Sequence, residues 1–449
     1  MAAETNQPDA SFRRHGLWAL AGRLINIALV AGSAFVFARV MPSKADFGTF
    51  SYLQAVVTFL GIVAGVGSGT VAIRWVTEAR HGRTSIAQPL KRIARTLSVA
   101  ALVVGLITGI GLSIWQNATS PEETYAWWVF ATVGFAVAMR GTHQFFAGAA
   151  RAESRLKTAN LLDGANGGPI SNGLLLLGIL TTACIVTVSW QRAVISLALA
   201  NLVAAAVGIW LVRDLFRESA AKPTSPDEED TPSPSMLAVG VPVAAASLLV
   251  FLVEQLDLLF AGWTLAEDAL AEYSAAKRIS FILRMPFAMV NMAVTGIITK
   301  RFIAGEHASL QSLLSGTATV SIIASLLCAL PLFIAPQTML WLGFGNGYQQ
   351  AATTMCILLV GQLVIVLGGS CQQLLILTKH EGVALKVNSG AAALLIVLLV
   401  SFGGNAKFSS SEMIALCFTL TTLFRACVMW WFARRLTEIN TAPSKLGAR

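Results

Sequence analysis

Five charged side chains lie close together in a part of the chain that is otherwise as apolar as a membrane helix. Glu254 and Asp257 stand in the run FLVEQLDLLFAGW, and Lys277, Arg278 and Arg284 follow in the next apolar run. An ionisable side chain at the centre of a bilayer costs about 2.5–3.5 kcal/mol or more, so such groups face a polar cavity or each other. The pattern predicts a polar route through a membrane protein.

The basic residues of the second run continue as a polar stripe. Lys277, Arg284 and Asn291 recur every seven residues, which places them on one face of a helix, with Arg278 at its flank. Arginine offers paired planar donors that stay protonated, and these fit phosphate groups. We predict that Lys277, Arg278, Arg284 and Asn291 line the path of an anionic substrate.

The two acidic residues allow two interpretations that the sequence leaves open. Glu254 and Asp257 lie on one face of their helix, together with Ser247. They either couple transport to a proton or another cation, or serve as counter-ions of Lys277 and Arg284. The second interpretation has a physical basis, because removing either partner of a buried ion pair strands the other charge.

Three further polar residues in earlier apolar runs are predicted to face the cavity. Arg23 and Asn26 are three positions apart and share a helix face. Arg140 lies about three turns from the nearest helix end, which makes snorkelling to the surface difficult. By contrast, Gly61, Gly65 and Gly69 recur every four residues, which predicts close helix packing.

Nothing in the sequence indicates a catalytic group, a metal site or a cofactor. The six cysteines lie inside apolar runs and lack the spacing of metal ligands or of a disulfide framework. The acidic run Asp227–Asp230 stands in a Pro- and Ser-rich stretch that would not fix ligand geometry. We therefore expect no enzyme activity.

The composition is that of a polytopic membrane protein. The 449 residues are 55% hydrophobic and 12% charged, with a mean hydropathy of +0.68, whereas a soluble protein carries about 25% charged residues. Apolar runs of about 20 residues can each cross the hydrocarbon core. Twelve spans are predicted, at 17–38, 47–73, 96–116, 125–149, 158–187, 193–212, 236–261, 273–299, 312–335, 351–377, 387–403 and 412–433.

The distribution of basic residues predicts the orientation. Of the 32 Lys and Arg residues, 22 lie in segments on the side of the N-terminus, four lie on the opposite side and six lie within spans. Because basic loops stay in the cytoplasm, both termini are predicted to be cytoplasmic. The first apolar run is longer than the core of a signal peptide, so we expect it to remain as the first span.

The chain divides into two halves. Residues 218–235 are rich in Pro, Ser and acidic residues and predict a flexible cytoplasmic linker. It separates an N-terminal six-helix lobe (1–217) from a C-terminal one (236–433), which a cytoplasmic tail (434–449) follows. ADFGTFS (Ala45–Ser51) and DALAEYS (Asp268–Ser274) echo each other at equivalent places, as expected of two repeats around a central cavity.

Two segments resemble a known family. In Ala38–Glu78, ARVMPSKADFGTFSYLQAVVTFLGIVAGVGSGTVAIRWVTE is similar to the A-R-x-L-G-P-x-x-F-G-x-Y segment and Gly-rich stretch of the oligosaccharide flippases, or polysaccharide transporters, of the multidrug/oligosaccharidyl-lipid/polysaccharide (MOP) exporter superfamily. In Leu256–Arg301, the D-x-x-x-x-G and Y-x-x-A-x-R pattern recurs, and a weaker match lies in Phe344–Gln362. Met41, Ser43, Lys44 and Phe50 depart from the family pattern.

The resemblance implies an all-α, MOP/MATE-like fold of about twelve transmembrane helices in two lobes. It implies an inner-membrane flippase that moves an oligosaccharide linked to undecaprenyl pyrophosphate, a precursor of lipopolysaccharide or exopolysaccharide, by alternating access. Membrane lipids and the polysaccharide polymerase or export machinery are the expected partners, and nucleic acid is not. A monomer is compatible with this function.

Two alternatives come from other classes. A drug or organic-cation antiporter of the same superfamily would need an acidic or aromatic cavity, yet the spans hold six basic residues against Asp163, Glu254 and Asp257. A membrane enzyme acting on the same lipid-linked sugar would need a large loop with carboxylates or His, and the predicted outside loops are short. The transported glycan and the energy source are not encoded in any motif.

Overall fold

A computed structural model describes residues 10–81, 86–119, 127–153, 155–162, 168–216, 236–378, 380–403, 410–437 and 439. Every regular element in these ranges is helical, with a 3-10 turn at Gln349–Ala351 and a π-helical turn at Leu399–Gly403. The predicted all-α membrane fold is therefore confirmed. The helices are α1 (Ala10–Val40), α2 (Lys44–Gly65), α3 (Ser68–His81), α4 (Ala87–Thr119), α5 (Trp127–Ala152), α6 (Leu156–Leu162), α7 (Gly168–Ile185), α8 (Trp190–Val212), α9 (Met236–Thr264), α10 (Glu267–Ile282), α11 (Met285–Ile303), α12 (His307–Ile334), α13 (Pro336–Phe344), α14 (Ala352–Leu367), α15 (Cys371–Leu377), α16 (Glu381–Leu398) and α17 (Ser411–Thr437).

The exposed surface of the helices is apolar where a bilayer would cover it. On α4, Val99, Leu102, Leu106 and Ile110 recur every three or four residues and are 56% to 65% exposed. An exposed apolar stripe marks a membrane or protein contact, and the hydrocarbon core of a bilayer would cover it without cost. Within the described residues, nine helical segments are long and apolar enough to cross a membrane, and each of the twelve predicted spans overlaps one helix or two consecutive helices.

Four predicted spans are each two helices, because glycine or proline interrupts them. After α2, Val66 and Gly67 have φ angles of 44° and 64°, a left-handed conformation that favours glycine. The predicted span 273–299 divides between α10 and α11, just before Pro286. The span 351–377 divides at residues 368–370, where Gly369 has a φ of 62°.

The fourth such span is 158–187, which contains Asp163, Asn166, Pro169 and Asn172. Asp163 and Asn166 fall outside the described residues, and the helices on either side are α6 and α7. Pro169 is the second residue of α7, where its missing N–H costs no helical hydrogen bond.

The chain divides into two compact units whose boundaries fall inside α1, α2 and α9. The first unit comprises residues 1–33 and 56–248, and the second comprises residues 34–55 and 249–449. The end of α1 and the beginning of α2 thus pack with the C-terminal half of the chain. The two lobes predicted on either side of residues 218–235 stay a prediction.

In the first unit, glycines allow α2 and α3 to lie directly on α5. A Cβ atom added to Gly61 would come within 2.4 Å of Cγ of Arg140, and one added to Gly69 within 2.5 Å of the carbonyl oxygen of Gln144. From the α5 side, a Cβ on Gly148 would meet the carbonyl oxygen of Gly69 at 2.2 Å. The prediction that Gly61, Gly65 and Gly69 mediate close helix packing is confirmed.

In the second unit, the two segments that echo each other in sequence pack together. A Cβ on Gly48 would come within 2.7 Å of the carbonyl oxygen of Glu267 and 2.9 Å of the backbone nitrogen of Ala271. Around this contact the rings of α1, α2 and the α13 region stack in edge-on and tilted pairs with centroids 5.2–6.0 Å apart. The rings belong to Phe35, Phe37, Phe47, Phe50, Phe344 and Tyr348.

Gly148→Ala tests the close packing of α3 on α5. The added methyl group would overlap the carbonyl of Gly69, so we expect a loss of about 1–3 kcal/mol from the free energy of unfolding. Thermal unfolding of the purified protein in detergent measures it. The matched control is Gly111→Ala on α4, where nothing lies within 4 Å of the added atom, so the better helix propensity of Ala should leave stability unchanged or raised. Equal effects of both substitutions would contradict the packing argument.

Candidate functional site

The candidate site lies in the second unit, where α9, α10, α11, α15 and α17 bring charged and amide side chains together. Glu254 and Asp257 are three positions apart on α9, while Lys277 is on α10 and Arg284 stands between α10 and α11. The sequence runs that were singled out for their charge therefore meet in space. They form two ion pairs of different character.

The first pair is closed and buried. Asp257 is fully buried and its carboxylate accepts hydrogen bonds from the ammonium group of Lys277 and from the hydroxyl of Tyr273. The ammonium group also donates to the carbonyl oxygen of Glu254 at 2.8 Å and lies 5.0 Å from the ring centre of Phe418. Since the side chain of Lys277 is only 6% exposed, this pair ties α9 to α10.

The second pair is open to a cavity. Nη2 of Arg284 donates to Oε1 of Glu254 at 2.9 Å, and the two side chains are 17% and 26% exposed. The guanidinium of Arg284 also lies 4.9 Å from the ring centre of Phe281. Arg425 from α17 lines the same cavity as Glu254. Both pairings agree with the counter-ion interpretation, but the choice between counter-ions and a coupling site stays a prediction.

The cavity has a volume of about 300 Å³. Among the described residues that line it, the charged ones are Arg284, Arg425 and Glu254, so the lining carries one net positive charge. Arg425 is 7% exposed. The remaining lining combines polar groups with an apolar wall, made by Phe287, Asn291, Ile365, Gly368, Gly369, Ser370, Cys371, Gln372, Gln373, Ile376, Leu377, Ala426 and Met429.

Two amides of the cavity, those of Gln372 and Gln373, come from the helix that follows the break between α14 and α15. The left-handed turn at Gly369 ends α14 and lets α15 begin with Cys371, Gln372 and Gln373 at the cavity wall. The hydroxyl of Ser370 donates to Oδ1 of Asn291 on α11. Non-helical backbone at membrane depth is tolerated where it lines a cavity, and this break does so.

Lys277 and Arg278 are not among the residues that line this cavity in the described part of the chain. Nη2 of Arg278 donates to Oε1 of Gln54 at 2.9 Å and to Oγ of Ser51 at 3.2 Å, and its guanidinium lies 5.5 Å from the ring centre of Phe47. Arg278 thus joins α10 to the beginning of α2. The predicted role of both residues in substrate binding stays a prediction.

The other predicted cavity residues belong to the first unit. Nδ2 of Asn172 on α7 donates to Oδ1 of Asn26 on α1 at 2.8 Å, and both side chains are buried. Arg140 on α5 packs its stem against Gly61. Arg23 lies on α1, and its side chain is outside what the structure describes. The prediction that Arg23, Asn26 and Arg140 bind substrate stays open.

Sequence reasoning did not assign Arg425, Ser370, Gln372 or Gln373 to a site. Arg425 was visible as a charge inside the apolar run of span 12, but no polar stripe accompanies it. The Gly368–Gly369 pair followed by two glutamines was also visible in span 10. Only the fold brings these two regions next to Arg284 and Asn291.

Comparison with known proteins gives two family matches. Residues 12–300 match the profile of a family described as "Polysaccharide biosynthesis protein", and residues 242–401 match that of the MatE family. No curated protein sequence matches the chain.

Solved structures share the fold over nearly the whole chain. An inward-facing multidrug resistance MATE family transporter of the MOP superfamily is 12% identical, with 94% of this chain and 98% of that chain covered and a TM-score of 0.72. The lipid II flippase MurJ in an inward closed conformation is 9% identical over 93% and 87% of the two chains, with a TM-score of 0.68. A MOP superfamily transporter from Pyrococcus furiosus is 13% identical over 95% and 96%, with a TM-score of 0.60. At such identities the likeness shows the fold, and it confirms the predicted MOP/MATE-like architecture.

Asp257→Asn tests the structural importance of the buried pair. The substitution would leave Lys277 buried without a counter-charge, so we expect a loss of about 3–5 kcal/mol from the free energy of unfolding. The double variant Asp257→Asn/Lys277→Met removes both charges and should recover most of that loss. Unfolding of both variants in detergent measures the difference. Equal stability of the Asp257→Asn variant and the wild-type protein would contradict the structural role of the buried pair.

Proposed function

Because the chain belongs to the polysaccharide biosynthesis protein family, we propose that it is a flippase for a polyprenyl-pyrophosphate-linked oligosaccharide. It is a multi-pass membrane protein with the fold of MOP superfamily transporters. The proposed substrate is a precursor of a cell-surface polysaccharide, carried on undecaprenyl pyrophosphate. The protein would move it from the cytoplasmic to the outer leaflet of the inner membrane, with both termini in the cytoplasm. The proposal includes no catalytic step and no cofactor.

The observation that carries this proposal is the pair of arginines in the cavity of the second unit. Among the described residues that line the cavity, Arg284 and Arg425 outnumber the carboxylate of Glu254. Guanidinium groups bind phosphate oxygens through two parallel hydrogen bonds, and their charge is worth more in a partly enclosed cavity than in bulk water. A diphosphate is the part of the proposed substrate that needs such a site.

The amide groups of the same cavity suit the sugar next to the diphosphate. Asn291, Gln372 and Gln373 can each donate and accept hydrogen bonds, as sugar hydroxyls require. The volume of about 300 Å³ is at the lower end of ligand sites, which span about 300–1,000 Å³. It would therefore hold the diphosphate and its first sugar, while the prenyl chain stays in lipid and the rest of the glycan lies elsewhere.

Alternating access between two six-helix lobes is the proposed mechanism. Arg23, Asn26 and Arg140 in the first unit, and Lys277 and Arg278 in the second, remain proposed contacts along the route. Glu254 and Asp257 remain proposed coupling groups or counter-ions. The likeness to a lipid II flippase supports a lipid-linked substrate class, and a polysaccharide polymerase or export complex would be the partner that receives it.

A drug antiporter is the second candidate, because residues 242–401 match the MatE family. Those residues include the α9–α10 charges and most of the cavity lining. Against this candidate, a cationic drug would meet two arginines and one carboxylate, and like charges oppose binding. The charge of the cavity therefore favours an anionic substrate.

The test follows the leaflet position of the lipid-linked oligosaccharide in cells that lack the protein. We expect the substrate to accumulate on the cytoplasmic side of the membrane in these cells. The wild-type protein should move it to the outer leaflet, whereas Arg284→Ala and Arg425→Ala should leave it on the cytoplasmic side. Losing a charge-assisted contact of about 1.5–3 kcal/mol lowers binding by about tenfold to a hundredfold. Membrane insertion and amount of each variant are measured in parallel.

The control variant is Arg74→Ala on α3. Arg74 forms an ion pair with Glu78, but both side chains are more than half exposed, at 56% and 57%. This variant should restore transport fully. Normal relocation by both cavity variants would refute the anionic cavity, and an unchanged leaflet distribution in cells without the protein would favour the antiporter.

A further inference from the structure

The two carboxylates of α9 differ in what surrounds them. Asp257 is fully buried and closed off by Lys277 and Tyr273. Glu254 is 26% exposed, and its carboxylate lines the cavity beside Arg284. Asp257 is not among the described residues that line the cavity. Glu254 is instead placed where a ligand would come.

Glu254 already makes the contact that a phosphate would make. Its Oε1 accepts from Nη2 of Arg284 at 2.9 Å, and carboxylate and phosphate present the same kind of acceptor to a guanidinium. The guanidinium itself is held in place, since it lies 4.9 Å from the ring centre of Phe281. The carboxylate therefore occupies one of the donors that an incoming anion would use.

The charge balance of the cavity is suited to an exchange. Among the described residues of the lining, Arg284 and Arg425 stand against one carboxylate, that of Glu254, which leaves an excess of one positive charge. A diphosphate carries more negative charge than a carboxylate, so the two arginines would attract it more strongly. It would displace Glu254 on binding, and the returning carboxylate would favour release. A carrier needs both steps, because a ligand that binds too tightly is not released.

We propose that Glu254 is a built-in competitor of the anionic ligand: it occupies Arg284 while the cavity is empty and is displaced by the diphosphate group of the substrate. This inference rests on the proposed function, because it names the group that competes for the same cavity. Glu254 then sets the affinity of the site for anions.

Replacing Glu254 is expected to strengthen the binding of an anionic ligand, although Glu254 itself lines the cavity. Glu254→Gln keeps the size of the side chain but removes the charge that competes for Arg284. We expect the Kd for an anionic ligand to fall by about tenfold or more, equivalent to about 1.4 kcal/mol. Glu254→Asp keeps the charge but withdraws it by one methylene group, so a fall of about threefold is expected.

The experiment uses the purified full-length chain in detergent and farnesyl pyrophosphate as the probe, with Kd measured by calorimetric titration. Arg284→Gln should weaken binding, because it removes the donor itself. The matched control is Glu78→Gln, which removes the carboxylate of the exposed Arg74–Glu78 pair and should leave the Kd unchanged. Thermal unfolding without ligand shows whether each variant is folded. If Glu254→Gln is not folded, Glu254→Asp serves as the test.

The outcomes separate this inference from the proposed function. Tighter binding by the Glu254 variants together with weaker binding by Arg284→Gln supports it. If Arg284→Gln weakens binding but neither Glu254 variant tightens it, the competitor role is refuted and the anionic cavity stands. If Arg284→Gln and Arg425→Gln both bind like the wild-type protein, the cavity does not hold the diphosphate and both proposals fail.

Discussion

The packing of the second unit is governed by one constraint: charges that are buried among apolar side chains must be paired. A lone ammonium or carboxylate in that position would cost several kcal/mol even after relaxation. The pairing of Asp257 with Lys277 therefore fixes the distance between α9 and α10 and the rotation of each helix about its axis. Glu254 lies one turn before Asp257 on α9, and Arg284 follows Lys277 by two turns. Fixing the buried pair therefore also brings the open pair together at the cavity.

Interrupted helices place the remaining polar groups. The predicted span 351–377 is not one continuous helix, because the left-handed turn at Gly369 ends the first helix, and Gln372 and Gln373 of the second line the cavity together with Asn291. The same device, with proline in place of glycine, separates α10 from α11 and leaves Arg284 at the junction. The cost of broken backbone hydrogen bonds in a membrane is tolerable only where polar groups or a cavity satisfy them.

The packing of segment 34–55 accounts for the residue types that carry the family resemblance in its sequence. Gly48 is needed because the backbone of α10 lies within contact of its Cα, and Phe47 and Phe50 are fully buried in the aromatic cluster. Lys44 departs from the family pattern, yet it forms an ion pair with Glu272 at 2.8 Å and donates to the carbonyl oxygen of Gly347. It thus joins the beginning of α2 to α10 and to the turn after α13.

The sequence by itself determined the class of the molecule, because hydropathy, helix length and the sum of basic residues are local properties that need no contacts. It also singled out Glu254, Asp257, Lys277 and Arg284, since a charge in an apolar run is anomalous wherever the chain folds. It offered the two carboxylates as counter-ions of the two cations but could not decide which carboxylate meets which cation, because that depends on how α9 packs against α10. Arg425 and the α15 glutamines are far away in sequence, and only the packing of α11, α15 and α17 decided that they share a cavity with Arg284.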